Sequence, residues 1–432
     1  MRKPWENAMN RTLKLTSMLL LILIFSLSSM VSAGTMPAAK PEEAGLSSDR
    51  LQRIHELMQR NIDEDNFAGA VTLVARRGRI AHFEAHGMMD LQAKKPMEKN
   101  AIFRIMSMTK PIVGASVLML LEEGKIRLND PVSKFIPQLK DLKVAVPLPD
   151  APASPFAPPT PPSKEPRFYT MPAEREITIR DLMTHTSGMV SGPISMSQNA
   201  KVIYQKGETL ADYIPRLGSV PLEFQPGTKW AYSAQAGIDT LVRIIEILSG
   251  QTFDQFVKHR LFEPLDMKDT SFYPAEALTA RIATLYRKTP NGLQKQDNPA
   301  FMNRTYLSGG GGLFSTAEDY LRFGQMLANG GELDGHRILG RKTVEMMASV
   351  HIPATLPGRN PGEGYGLTVR VISDSGAAGT ALPNGSFGWS GAFGTHFWVD
   401  PKEKIVAVMM TQGGSIQLTS DFETAVMQAV ID

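Results

Sequence analysis

The chain contains no cysteine. That absence removes disulfides, cysteine-ligated zinc, thiol nucleophiles and a lipidated leader cysteine together, so stability has to come from a large core. An excess of one charge sign is also missing from most of the chain. The formal net charge of +3 is accounted for by Arg2, Lys3, Arg11 and Lys14 against Glu6, and the remainder is balanced. A nucleic-acid partner is therefore not expected. No Gly-x-Ser-x-Gly occurs, and Gly388-Trp-Ser-Gly-Ala392 fails at its last position, which argues against the nucleophile elbow of an α/β-hydrolase. The run Gly309–Gly312 lacks the lysine and the preceding strand of a phosphate loop. It is expected to form a tight backbone turn capping the next helix. No internal repeat is evident.

What the chain has at its start is a basic segment, an apolar stretch from about Leu15 to Leu27, and Val31-Ser32-Ala33 before Gly34. This pattern reads as a secretory signal peptide over 1–33 with cleavage after Ala33, and the apolar run is short for a spanning helix. Periplasmic or secreted localisation, with no stable membrane anchoring after cleavage, is the expectation.

The stretch from Phe103 to Leu121 organises the rest. It becomes a helix near Ser107, with Ile112, Val113, Val117, Leu120 and Leu121 at helical spacing. Ser107 and Lys110 stand three residues apart, which on one helical face brings their Cβ atoms to about 5–6 Å. A serine hydroxyl is a weak nucleophile until an adjacent base takes its proton, and a lysine serves only when burial keeps its amine neutral. Ser107 at a helix start also has free backbone N–H groups nearby for a developing oxyanion. Pro111 restrains the preceding residue, so the start is placed within Ser107–Lys110. Alone, Ser-x-x-Lys is a weak signal, because a serine cap beside a solvated lysine is common.

With 432 residues the chain exceeds one ordinary core, and two lobes are expected. A helix opens at Ser47-Ser-Asp-Arg-Leu51, and a hairpin follows with strands at Ala68–Ala75 and Arg79–Ala85 around Arg77-Gly78. His82 and His86, on or just after its second strand, are read as structural or exposed rather than as ligands. Proline is dense from Val146 to Pro172 and periodicity disappears, which suggests a long surface loop bordering a cleft. His185 reads as a packed or hydrogen-bonding histidine. Tyr232 lies just before a helix from about Gln235 to Leu248 that Gly250 stops. The C-terminal part is strand-rich, at Tyr365–Ile372, Gly385–Gly391, Thr395–Val399 and Ile405–Thr411, before a final helix from about Ser420 to Val430. Strands at both ends with helices between them imply an α/β chain of the α+β type. Its antiparallel sheet (about 41–100 and 305–432) would be flanked by helices and carry an inserted helical lobe (about 101–304).

From about Pro41 onward the chain resembles the serine β-lactamase and penicillin-binding-protein-like superfamily, most closely the family VIII carboxylesterases beside the class C β-lactamases. The resemblance rests on Ser107-Met-Thr-Lys110, His185-Thr-Ser-Gly188, Pro226-Gly227 leading to Tyr232-Ser233, Glu246-x-x-x-Gly250, Glu263-Pro-Leu-Asp-Met267, Gly312-Leu-Phe-Ser-Thr316 and Trp398-Val-Asp-Pro401 in this order. It implies a β-lactamase-like serine hydrolase domain over 34–432. Ser107 is then the nucleophile, Lys110 its general base or proton relay, and Tyr232 the second base and acid. The backbone N–H groups of Ser107 and Ala392 are the implied oxyanion donors, and no cofactor or metal is implied.

Two departures bear on the activity. Where many β-lactamases carry a Lys-Thr-Gly triplet, this chain has Trp389-Ser390-Gly391, an aromatic ring in place of a cation. Where class C enzymes have asparagine two residues after the tyrosine, Ala234 stands here. Both changes favour a short-chain carboxylic ester as a small-molecule substrate. A β-lactamase, a D-amino-peptide or other amide hydrolase of the same superfamily, and a non-catalytic cell-wall-binding or scaffold descendant are the alternatives.

Overall fold

Two ends of the chain, more than 300 residues apart in sequence, meet as neighbouring strands. The computed structural model describes residues 36–148, 166–296, 304–414 and 416–432. The leader read in 1–33 and the centre of the proline-dense stretch lie outside the described residues. The main sheet consists of β1 (Gly69–Arg76), β2 (Arg79–Asp90), β3 (Lys95–Pro96), β4 (Glu363–Tyr365), β5 (Arg370–Ile372), β6 (Phe387–Ser390), β7 (His396–Asp400) and β8 (Ile405–Thr411). Its order is β4-β5-β6-β7-β8-β1-β2-β3 with antiparallel pairing throughout. The β1–β8 ladder runs from Ala70 opposite Thr411 to Arg76 opposite Ile405. Arg77 (φ 54°) and Gly78 (φ 75°) make the two-residue turn between β1 and β2, the conformation whose twist matches a hairpin.

Period-two alternation divides two cores across this sheet. Val406, Val408 and Met410 of β8, with Val71 and Leu73 of β1, enter the larger core. Ile405, Ala407 and Met409, with Ala70 and Val74, enter the smaller one, which is covered by α1 (Ser48–Asp63) and the C-terminal helix. Ser47 caps α1 by accepting from the Arg50 N–H at 3.3 Å. The larger core receives α2 (Thr109–Glu122), the short α3 (Ile179–Met183), α4 (Ala236–Ser249) and α5 (Ala317–Ala328). Every residue of α2 from Thr109 to Leu120 is buried, the condition of a helix apolar on all sides and enclosed by its neighbours. At Gly114 an added Cβ would stand 2.0 Å from Thr368 Oγ1. That close approach locks α2 against the turn after β4.

Several local expectations need correction. The strand expected over Tyr365–Ile372 is a hairpin, because Leu367 and Val369 turn into the larger core and the Gly366 N–H closes on Val369 O at 2.9 Å. The flanks of the proline-dense stretch are ordered, with Lys143–Pro147 pairing antiparallel to Phe168–Pro172. The last helix, α6, runs over Ile416–Met427 and so begins four residues before Ser420. The glycine run does not cap α5. Thr316 does, its hydroxyl accepting from the Asp319 N–H at 3.1 Å.

Candidate active site

Ser107 sits in a short 3-10 turn (Met106–Met108) that feeds directly into α2. Met106 before it holds φ at 49°, a left-handed conformation that is uncommon for a side chain of this size and is tolerated where surroundings over-determine it. Lys110, on the first turn of α2, is fully buried, and its Nζ donates to Ala234 O at 2.7 Å and to Gly310 O at 2.8 Å. Two carbonyls take two of its hydrogens. The remaining direction of the amine faces Ser107 Oγ at 3.0 Å. On the other side of the serine, the Tyr232 hydroxyl lies 2.7 Å from Oγ, and Lys110 Nζ is 4.9 Å from the centre of the tyrosine ring.

Burial, opposed by Asp239, lowers the Lys110 amine from its usual range to about 7. The same burial raises the Tyr232 phenol, while its contact with Ser107 works against the rise. The arrangement therefore pairs an amine whose neutral form is substantially populated near pH 7 with a phenol that keeps its proton. Asp239 of α4 is buried and accepts from Tyr306 Oη at 2.6 Å, Gly310 N–H at 2.9 Å and Ser308 Oγ at 3.2 Å. It thereby holds the glycine turn so that Gly310 presents its carbonyl to Lys110.

Ala392 follows β6 and turns back beside Ser107. The Gly391 N–H donates to Thr395 O at 2.7 Å, and Thr395 Oγ1 donates to Ile105 O at 3.0 Å, tying this turn to the serine's own segment. A Cβ at Gly391 would come within 2.3 Å of Ile105 O, so the approach requires glycine. The Ala392 N–H has no acceptor among the described residues. Ser390 lines the cleft, yet its hydroxyl is engaged at 2.8 Å with His396 Nδ1.

Ser107 lies where two hollows meet. One, of about 500 Å³, is lined by Trp230, Tyr232, Tyr365, Trp389, Gly391 and Ala392 among others. The second, of about 420 Å³, is walled by Met106, Tyr204, Tyr273, Tyr306 and the glycine turn. A larger cavity of about 870 Å³ lies by Arg77, Asn329 and Arg341 and contains none of these groups. In the first hollow Trp230 stacks on Tyr365 with ring centres 4.3 Å apart, and Trp389 approaches Tyr232 and Tyr365 at 5.9 Å each. Arg370 also borders it, but its guanidinium is paired with Glu423 at 2.6 Å and Glu363 at 3.2 Å. His185 packs behind this wall, edge-on to Tyr232 with ring centres 4.8 Å apart, and neither of its ring nitrogens finds a hydrogen-bond partner among the described residues. Burial and nearby Lys110 hold it neutral, down at about 3.

The structure thus brings together Ser107, Lys110, Tyr232, Trp389, Ser390, Gly391 and Ala392, seven positions from three separated stretches. Sequence reasoning missed Asp239, Gly310, Trp230, Tyr365 and Arg370. An aspartate beside the apolar stripe of α4 was the one available signal for the first of these.

Comparison with known proteins agrees with this architecture. The β-lactamase family model matches residues 52–422, and the chain belongs to that family. Protein Rv1367c of Mycobacterium tuberculosis is 33% identical over 368 residues, covering 81% of this chain and 87% of the relative. Esterase EstB of Burkholderia gladioli is 28% identical over 431 residues, covering 93% and 99%. Among solved structures, EstCE1, described as a hydrolase with promiscuous acyltransferase activity, superposes with a TM-score of 0.73 at 26% identity, covering 88% of this chain and 99% of that one. The chain is a serine hydrolase of the β-lactamase fold.

Proposed function

We propose that this protein is an exported carboxylesterase that cleaves short-chain esters through an acyl-enzyme on Ser107. Lys110 takes the proton of Ser107 Oγ as that oxygen attacks the ester carbonyl carbon. The carbonyl oxygen becomes an oxyanion held by the N–H groups of Ser107 and Ala392, a contribution commonly worth about 3–4 kcal/mol per donor in acyl transfer. Tyr232 gives its proton to the departing alkoxide, releasing the alcohol, and Lys110 passes its proton on to the phenolate. Water then attacks the acyl-serine through the same groups in reverse, freeing the carboxylic acid and restoring the serine hydroxyl.

The observation that carries the ester reading is the character of the hollow beside the serine. Trp389 supplies an apolar wall where a lactam-binding cation is expected, and the hollow's own cation, Arg370, is already neutralised by Glu363 and Glu423. Binding an anionic lactam there means disturbing a partly buried ion network, whereas a neutral acyl ester needs no counter-charge. The names of EstB and EstCE1 lend support as relatives. The test compares kcat/KM for a short-chain aryl ester with that for a chromogenic cephalosporin, using Ser107→Ala as the blank. The ester is expected to be favoured strongly and the blank to be silent; preference for the cephalosporin overturns the reading.

A further inference from the structure

On the opposite face of the sheet from Ser107, four side chains from three elements converge. The β1–β2 register sets Val74 opposite His82, Thr72 opposite Glu84 and Ala70 opposite His86. All six therefore point to the side that α1 covers, and α1 lowers His55 onto them. His55 Nδ1 lies 2.6 Å from Glu84 Oε1, and His86 Nδ1 lies 3.8 Å from the same oxygen. One ligating atom from each of the three residues falls within 4.8 Å of the others.

We propose that His55, Glu84 and His86 form a binding site for a divalent transition-metal cation of the zinc class. With metal–ligand bonds of about 2.0–2.2 Å, tetrahedral donor atoms stand about 3.3 Å apart. The two histidine–carboxylate separations, 2.6 and 3.8 Å, fall on either side of that value and all three atoms lie within 4.8 Å of one another, so a cation fits after side-chain movements. Two imidazoles and one carboxylate suit zinc and its first-row neighbours rather than calcium or magnesium.

Thr72 supplies the orienting contact that such sites require. Its buried hydroxyl lies 2.8 Å from Nε2 of both His82 and His86. One hydroxyl has one proton to give, so at least one of these imidazoles donates its Nε2–H to the oxygen. When His86 is the donor, its Nδ1 turns a lone pair toward the Glu84 carboxylate, and two electron-rich groups face each other across a gap. A cation resolves that opposition. The His55 and Glu84 side chains are 40% and 36% exposed, which leaves an entrance and a coordination position for water.

Equilibrium dialysis of the chelator-stripped protein against buffered Zn(II) tests the site. Wild-type protein is expected to retain one equivalent per chain, and zinc is expected to raise its melting temperature. His55→Asn, at a partly exposed helix position that tolerates change, and Glu84→Gln should each weaken retention at least tenfold and abolish the rise. Thr72→Val should weaken it about 10–100-fold, the usual effect of losing an outer-sphere partner. Absence of stoichiometric zinc in the wild type, or equal retention in the folded His55→Asn and Glu84→Gln proteins, overturns the proposal. Ester turnover is expected to be the same with and without zinc, because Ser107 belongs to the other face.

Discussion

In the proposed mechanism the chemistry turns on Lys110, and its two carbonyl partners explain why. With Ala234 O and Gly310 O taking its hydrogens, a neutral amine has its lone pair left for the serine proton, whereas the ammonium has none. Burial lowers this amine to about 7. The sign follows directly: below that value the base is protonated and inactive, above it neutral and competent. For the proposed esterase, kcat/KM is expected to rise about tenfold per pH unit on the acid side and level off above about 7. A pH–rate profile flat from 5 to 9 contradicts this role. In the same assay Tyr232→Phe should cost about 10²–10⁴-fold, the range for losing a general acid–base.

At the scale of elements, the cleft is held by an ion network between α6 and the sheet. Glu423 of α6 reaches Arg370 of β5 at 2.6 Å and His396 of β7 at 3.1 Å, and Thr380 Oγ1 donates to it at 3.1 Å. Burial pushes its carboxyl up, but the His396 and Arg370 contacts outweigh that and bring it down to about 2. The carboxylate is charged at all working pH values. Glu423→Ala leaves Arg370 with Glu363 alone and buried His396 without its carboxylate, and is expected to destabilise the protein by about 2–3 kcal/mol, below the roughly 3–5 kcal/mol of a fully broken buried pair. Denaturant unfolding measures it, and a loss below about 1 kcal/mol shows the network to be solvated instead. The elements themselves were largely legible: the hairpin turn at Arg77-Gly78, the stripe of α4 and its Gly250 stop all follow from local rules. The turn at 366–369 was not, since its cause is the tertiary pocket that Leu367 and Val369 fill.

For the whole molecule, joining β1 to β8 encloses a long helical insertion between the two ends of one sheet. A chain built in this way places Ser107, the proposed nucleophile, where the insertion begins and Ala392 in the turn after β6 that faces it. The proposed export belongs to this scale too, since it concerns the chain as delivered. The protein expressed in full in a Gram-negative host is expected in the periplasmic fraction with Gly34 as its first residue. N-terminal sequencing that finds Met1 on the membrane-bound product contradicts the leader.

Sequence alone determined the pieces with local causes. Among these are the serine and lysine one helical turn apart, the tyrosine ahead of α4, the tryptophan in place of a cation, and the alternation that builds a sheet from both ends. Tertiary structure alone decided what depends on distant groups meeting. Asp239 steers a glycine turn whose carbonyl orients the lysine, Arg370 is silenced by carboxylates on other elements, and His55 descends onto a strand whose histidines read as inert. The reason is physical: spacing along a chain reports on neighbours within a turn or a hairpin. The basicity of an amine, the charge of a pocket and the grouping of three ligands are instead set by what burial brings into contact.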